Sequence, residues 1–217
     1  IYRKNEGIIT KMTTIYLVRH GQASFGAASY DKLSATGEQQ ATVLGQYFQK
    51  ILKEQPYVVA GGMQRHRQTA EFALAECFPN LTPHINVGWN EFNHQQVFSK
   101  YDARFNEPHL LKQELTKAKS PRAYLEKIFT GAISRWTDGD YHHEYDESWP
   151  HFKTRVENTL QKLCNELAQT KPRYAVVFTS GGVVSVAVGK LLGLSPEKTF
   201  ALNWAIANAS LTTLRLV

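Results

Sequence analysis

A three-layer α/β/α sandwich, helices covering both faces of a mostly parallel central sheet, is the fold class this sequence predicts. Three observations carry that expectation. Short β-branched and aromatic runs alternate with amphipathic helical stretches along most of the chain. Three of those runs, beginning at Thr14, Tyr57 and Tyr174, end near a glycine and are followed by a helical pattern. The length of 217 residues and a 42% hydrophobic content supply a full core, enough for one domain with an elaboration.

Taken in order, Ile1 to Lys11 are mixed in polarity and lack the apolar core of a signal peptide. They read as an N-terminal extension, with residues 12–217 forming a single domain. Thr14 to Val18 is an apolar strand that stops at Arg19, His20 and Gly21. Open α/β sheets place ligands at the carboxyl ends of their strands, so a cation and an imidazole there point to an anion site. A polar loop, Gln22 to Asp31, leads to a helix that Ser34 or Thr36 can cap. Val43, Leu44, Tyr47, Phe48, Ile51 and Leu52 recur at helical spacing before Pro56 ends the segment.

Tyr57 to Ala60 forms a second strand, followed by Gly61, Gly62 and a helix through about Cys77. That helix opens on Arg65, His66 and Arg67, and positive charge in a first turn opposes the helix dipole. The conflict suggests an anion between those cations. His84 to Val87 is a weaker third strand; if parallel to the others, it brings Glu91 to the same edge of the sheet.

From about 95 to 147 strand signals vanish, and Tyr124, Ile128, Ile133 and Trp136 mark helical patches. This segment reads as a helical insertion, packed on the core and placed to act as a lid over the ligand edge. His142, His143, Glu144, Asp146 and Glu147 match no metal-ligand spacing, so no metal is expected there. Phe152, Val156, Leu160, Leu163 and Leu167 define a clean amphipathic helix. Tyr174 to Thr179 is the strongest strand after the first and runs into Ser180, Gly181 and Gly182, a tight turn whose backbone N–H groups suit phosphate, then an apolar helix from Val183 to Leu192. Asn208 to Val217 alternates as a closing strand.

The net charge of +6 fits a negatively charged substrate, but Lys and Arg are scattered rather than grouped with aromatics, so nucleic acid is not the expected partner. No stretch is long and apolar enough for a membrane span. Two cysteines, Cys77 and Cys164, both in helical patterns, fit a reduced cytoplasmic protein better than a disulfide-stapled one.

Arg19-His20-Gly21 after a strand, Arg65 within Gln-Arg-His-Arg-Gln-Thr-Ala, Glu91 after Gly-Trp-Asn, and the late strand into Ser180-Gly181-Gly182 together resemble the histidine phosphatase superfamily, also called phosphoglycerate mutase-like. Supporting matches include Asp31, Ser34, Gly37, Glu147, Arg155 and Asn208. The resemblance implies a site without metal or other cofactor, in which His20 becomes transiently phosphorylated. Arg19 and Arg65 would grip the phosphoryl oxygens, together with Ser180 and the backbone of Gly181. Glu91 would protonate the leaving oxygen and then activate water.

One position departs from the family pattern. A second histidine normally precedes the glycine pair, and here Ser180 stands in its place. An uncharged, shorter side chain leads to the expectation of empty space and one missing donor. Gln22 also replaces a commonly acidic residue. The implied function is hydrolysis of a small phosphomonoester or a phosphorylated side chain. The alternatives are mutase-type phosphoryl transfer, which shares the phosphohistidine, and a catalytically weakened phosphate-binding or regulatory protein, which Ser180 would suit.

Overall fold

The computed structural model describes residues 12–24 and 31–217. The N-terminal extension and residues 25–30 of the first loop lie outside the described residues.

The opening strand, β1 (Thr13–Arg19), leads to α1 (Ala35–Ile51), which Ser34 caps by accepting from the Gly37 amide. Next come β2 (Tyr57–Ala60), α2 (Gln64–Cys77) and β3 (His84–Ile85). The third strand is shorter than its apolar pattern suggests. Asn86 accepts from the Gly88 amide and starts a 3-10 turn over Val87–Trp89, which diverts the chain out of the sheet.

The helical stretch follows as α3 (His94–Tyr101), α4 (Pro108–Lys117) and α5 (Pro121–Thr137), with one 3-10 turn between α3 and α4 and another after α5. Beyond it run α6 (Trp149–Thr170), β4 (Tyr174–Thr179) and α7 (Gly181–Leu192). Gly181 and Gly182 belong to the helix itself instead of a preceding turn, and Ser180 is its N-cap residue. A short helix, α8 (Pro196–Asn203), capped by Ser195, is an element the apolar pattern did not reveal. The chain closes on β5 (Leu211–Leu216).

The five strands form one sheet in the order β3-β2-β4-β1-β5. β1, β4, β2 and β3 pair in parallel, and β5 runs antiparallel to β1. All six residues of the central strand β4 are buried, as a strand covered on both faces requires. Alternate strand residues separate into two cores. Val18, Val58, Val176 and Phe178 pack with Leu44 and Phe48 of α1 and Ala70 and Leu74 of α2. Ile15, Leu17, Val59 and Val177 pack on the other face with Phe152, Val156 and Leu160 of α6 and Val183 and Val184 of α7. The sheet is therefore the middle of three layers.

The helical stretch shares the second core. Trp136 of α5 lies 4.6 Å, centroid to centroid, from Phe92 and 5.5 Å from Phe152. Register is what builds the site. Arg19 stands opposite Thr179, and Phe178 opposite Ala60, so three strands end side by side and their following residues, His20, Ser180 and Gly61, share one edge.

Candidate active site

His20 follows the last residue of β1, and the backbone of Arg19 and His20 is tied from three sides. Its amide donates to the Thr179 carbonyl at 2.8 Å, its carbonyl accepts from Asn208 Nδ2 at 3.1 Å, and the Arg19 carbonyl accepts from the Ala209 amide at 2.9 Å. Ala209 holds a left-handed φ of 54° to make that contact, which explains why β5 starts at Leu211 and not at Asn208. The residue is 9% exposed. Its Nδ1 lies 2.7 Å from the Gly21 carbonyl, and a carbonyl only accepts, so Nδ1 carries the proton and Nε2 keeps its lone pair. Burial, then the nearby Arg65 guanidinium, lowers the His20 pKa to about 3, against the Gly21 carbonyl, which favours the protonated ring. At neutral pH the imidazole is uncharged.

Arg65, in the first turn of α2, is only 4% exposed. Its Nη1 donates to Asp31 Oδ1 at 2.7 Å, while Asp31 Oδ2 accepts from the Gln64 amide at 2.7 Å. Met63, at the N-cap, makes no side-chain capping bond, so Asp31 supplies the missing acceptor and the negative charge. The anion suggested by the basic first turn is, in this structure, a carboxylate of the chain itself. Arg67 is exposed and takes no part. The Thr69 hydroxyl accepts from the Gly21 amide at 3.0 Å and donates to the Arg65 carbonyl at 2.7 Å, coupling the β1 turn to α2.

Arg19 donates from Nη1 to the Ile206 carbonyl. Gly181 faces the Arg19 guanidinium and the Asn203 amide. Glu91 approaches from the loop after Trp89, and its Oε2 accepts from the Gly182 amide at 3.0 Å while Oε1 accepts from the Phe92 amide at 3.2 Å. A side chain on Gly182 would overlap the Glu91 carboxylate, so glycine is required for this approach. Glu91 keeps some exposed surface, yet its carboxyl lies deep among protein atoms. Burial raises its pKa, and the Gly182 amide, Arg65, the Phe92 amide and Arg19 oppose that rise.

The five side chains singled out in the sequence are thus brought together at one edge of the sheet, with the Gly181 backbone among them. The space expected beside Ser180 does not exist. Ser180 and His66 are both fully buried, and Ser180 Oγ lies 2.6 Å from His66 Nε2. The His66 ring stands 5.7 Å from the His20 ring, centroid to centroid. His94, at the start of α3, adds a third imidazole, lowered to about 4 by burial and then Arg65.

Behind the site Arg155 grips Glu147 through Nε at 2.6 Å and Nη2 at 2.8 Å. Its Nη1 donates to the Gly88 and Asn90 carbonyls, both at 2.9 Å, which fixes the loop that carries Glu91. Among the described residues no group of three His, Cys, Asp or Glu side chains is placed to hold a metal ion. None of their helices is long and apolar enough to cross a membrane.

A parallel sheet edge carrying a buried neutral imidazole, two guanidinium groups and a buried carboxyl suits phosphoryl chemistry. The sequence matches the histidine phosphatase superfamily (branch 1) over residues 15–123 and 99–217, and the chain belongs to that family. Solved structures share the fold. A phosphoglycerate mutase from Bacillus anthracis str. Sterne superposes with a TM-score of 0.60 at 16% identity, covering 94% of this chain and 88% of that one. A putative alpha-ribazole-5'-P phosphatase from Escherichia coli K-12 gives 0.60 at 19% identity, with 94% and 91% covered. A mycobacterial glucosyl-3-phosphoglycerate phosphatase gives 0.57 at 19% identity, with 94% and 90% covered. No curated protein sequence matches.

Proposed function

We propose that this protein hydrolyses a small phosphomonoester through a phosphohistidine on His20. The observation that carries the reading is the His20 ring, neutral, buried, with Nδ1 pinned on the Gly21 carbonyl and the Arg65 and Arg19 charges beside it. In the first half-reaction the Nε2 lone pair forms a bond to phosphorus and the bond from phosphorus to the ester oxygen breaks. The Glu91 carboxylic acid passes its proton to the departing oxygen. Arg19 and Arg65 balance the charge on the non-bridging oxygens. In the second half-reaction the Glu91 carboxylate takes a proton from water as its oxygen bonds to phosphorus. The P–N bond then breaks, inorganic phosphate leaves, and His20 and protonated Glu91 are restored. A raised Glu91 pKa supports this assignment, because the carboxyl must begin the cycle protonated.

Transfer of the phosphoryl group to a second substrate hydroxyl is the alternative fate of the same intermediate. Rapid-quench trapping after mixing with an aryl phosphate tests both. An acid-labile phosphoprotein should form in the unsubstituted chain and be absent from folded His20→Ala. Free phosphate should appear at the rate the intermediate decays. Normal turnover by His20→Ala would remove His20 from the nucleophile role, and decay without phosphate release would favour transfer.

A further inference from the structure

His66 is a fully buried imidazole to which the reaction above gives no task. Its environment nevertheless dictates its chemistry. The Nδ1 edge lies against the Cα of Gly61, where any side chain would overlap it, and Nδ1 finds no hydrogen-bond partner among the described residues. A proton on Nδ1 would be fixed against Gly61 without an acceptor, whereas a proton on Nε2 leaves a bare ring lone pair and a Ser180 O–H that can rotate, so the proton belongs on Nε2. Nε2 therefore donates to Ser180 Oγ across 2.6 Å. Burial, and next the neighbouring His20 imidazole and the Arg65 guanidinium, hold the His66 pKa well below its ordinary value, which agrees with a ring that stays neutral.

The bond joins two separate elements, the first turn of α2 and the N-cap of α7. Ser180 makes no capping bond to its own helix, and its oxygen accepts from His66 instead. What α7 presents immediately beyond it is functional: the Gly182 amide on Glu91, and Gly181 against Arg19. We infer that His66 is a positioning residue, a neutral Nε2-protonated imidazole that donates to Ser180, locks the start of α7 against α2, and so aligns Glu91 and Arg19 with His20. The reading of His20 as nucleophile is its premise.

The first test needs neither turnover nor a variant of His66. Imidazole nitrogen NMR on the intact chain between pH 5 and 8 should show His66 neutral throughout, with its proton on Nε2. A proton on Nδ1, or titration inside that range, would overturn the inference. The second test compares His66→Gln, whose amide can still donate to Ser180, with His66→Leu, which cannot. Single-turnover phosphorylation should stay within about threefold for glutamine and fall about tenfold or more for leucine, with inorganic phosphate affinity little changed in both. Equal losses in the two variants would reduce His66 to a packing residue. Absence of phosphoenzyme in the unsubstituted chain would count against the proposed function instead, and the nitrogen spectrum would still decide the tautomer.

Discussion

A carboxyl group and a serine decide how this site differs from a simple anion cradle. Glu91 is held by two amides that stabilise its charged form and by burial that destabilises it, and burial wins. Glu91→Gln keeps the shape and removes the transferable proton. It should slow alkyl phosphates by about 10²–10⁴ while leaving an activated aryl phosphate, whose leaving group departs unaided, much less affected. Equal losses on the two substrates, measured in steady state, would take Glu91 out of the acid role. Ser180 yields a prediction opposite to the one its sequence position suggests. With no exposed surface and His66 Nε2 at 2.6 Å, it leaves no room for an imidazole. Ser180→His should therefore lower stability in urea unfolding by about 1–3 kcal/mol through overpacking, and additional His66→Ala should recover most of that loss. Stability unchanged by the single substitution would mean that the pocket is roomier than its packing indicates.

At the scale of elements, each site residue depends on how one segment is moored to another. The loop after β3 has no strand pairing past Ile85, and Arg155 of α6 compensates by donating to two of its carbonyls while Glu147 fixes the guanidinium. Arg155→Ala leaves both carbonyls and the Glu147 carboxylate without that donor. The partly exposed setting moderates the cost to about 1–3 kcal/mol, with loss of turnover larger than the loss of substrate affinity because Glu91 is displaced. Chemical denaturation and steady-state kinetics on one preparation would separate the two effects, and unchanged values in both would mean that the clasp holds neither the fold nor Glu91. The same elements show what could be read from the sequence alone. β1, β2, β4 and the helix faces were legible because burial on both sides of a parallel strand demands an unbroken apolar run, and burial on one side of a helix demands a stripe. The early end of β3 is not visible in the apolar pattern, because a single side-chain bond, Asn86 accepting from the Gly88 amide, brings it about. Ser195 and Pro196 carried the start signal of α8, but eight residues offer too little periodicity to confirm a helix. The link from His66 to Ser180 spans 114 positions and depends on strand register, which no local pattern encodes.

For the molecule as a whole, gathering three imidazoles into a dry, cationic edge makes stability depend on pH. Above about pH 6.5 histidines are neutral in folded and unfolded chains alike, and the site imposes no proton-linked cost. As pH falls through that value the unfolded chain binds protons that the folded chain refuses, down to about 3 for His20 and about 4 for His94, with His66 shifted in the same direction. The unfolded state then holds more protons, so stability decreases as pH falls, by up to about 1.4 kcal/mol per unit for each histidine. Glu91 acts in the other direction. Its folded pKa is raised, so the native carboxyl gains its proton first and returns part of the loss. Three groups against one leave a net deficit. The unfolding free energy in urea should be about 2–4 kcal/mol smaller at pH 5.5 than at pH 7.5, and His94→Gln should remove about a third of the histidine contribution. A flat profile across this interval would show that water reaches the imidazoles and protonates them in place, and the neutral His20 on which the chemistry depends would then be lost below pH 6.5.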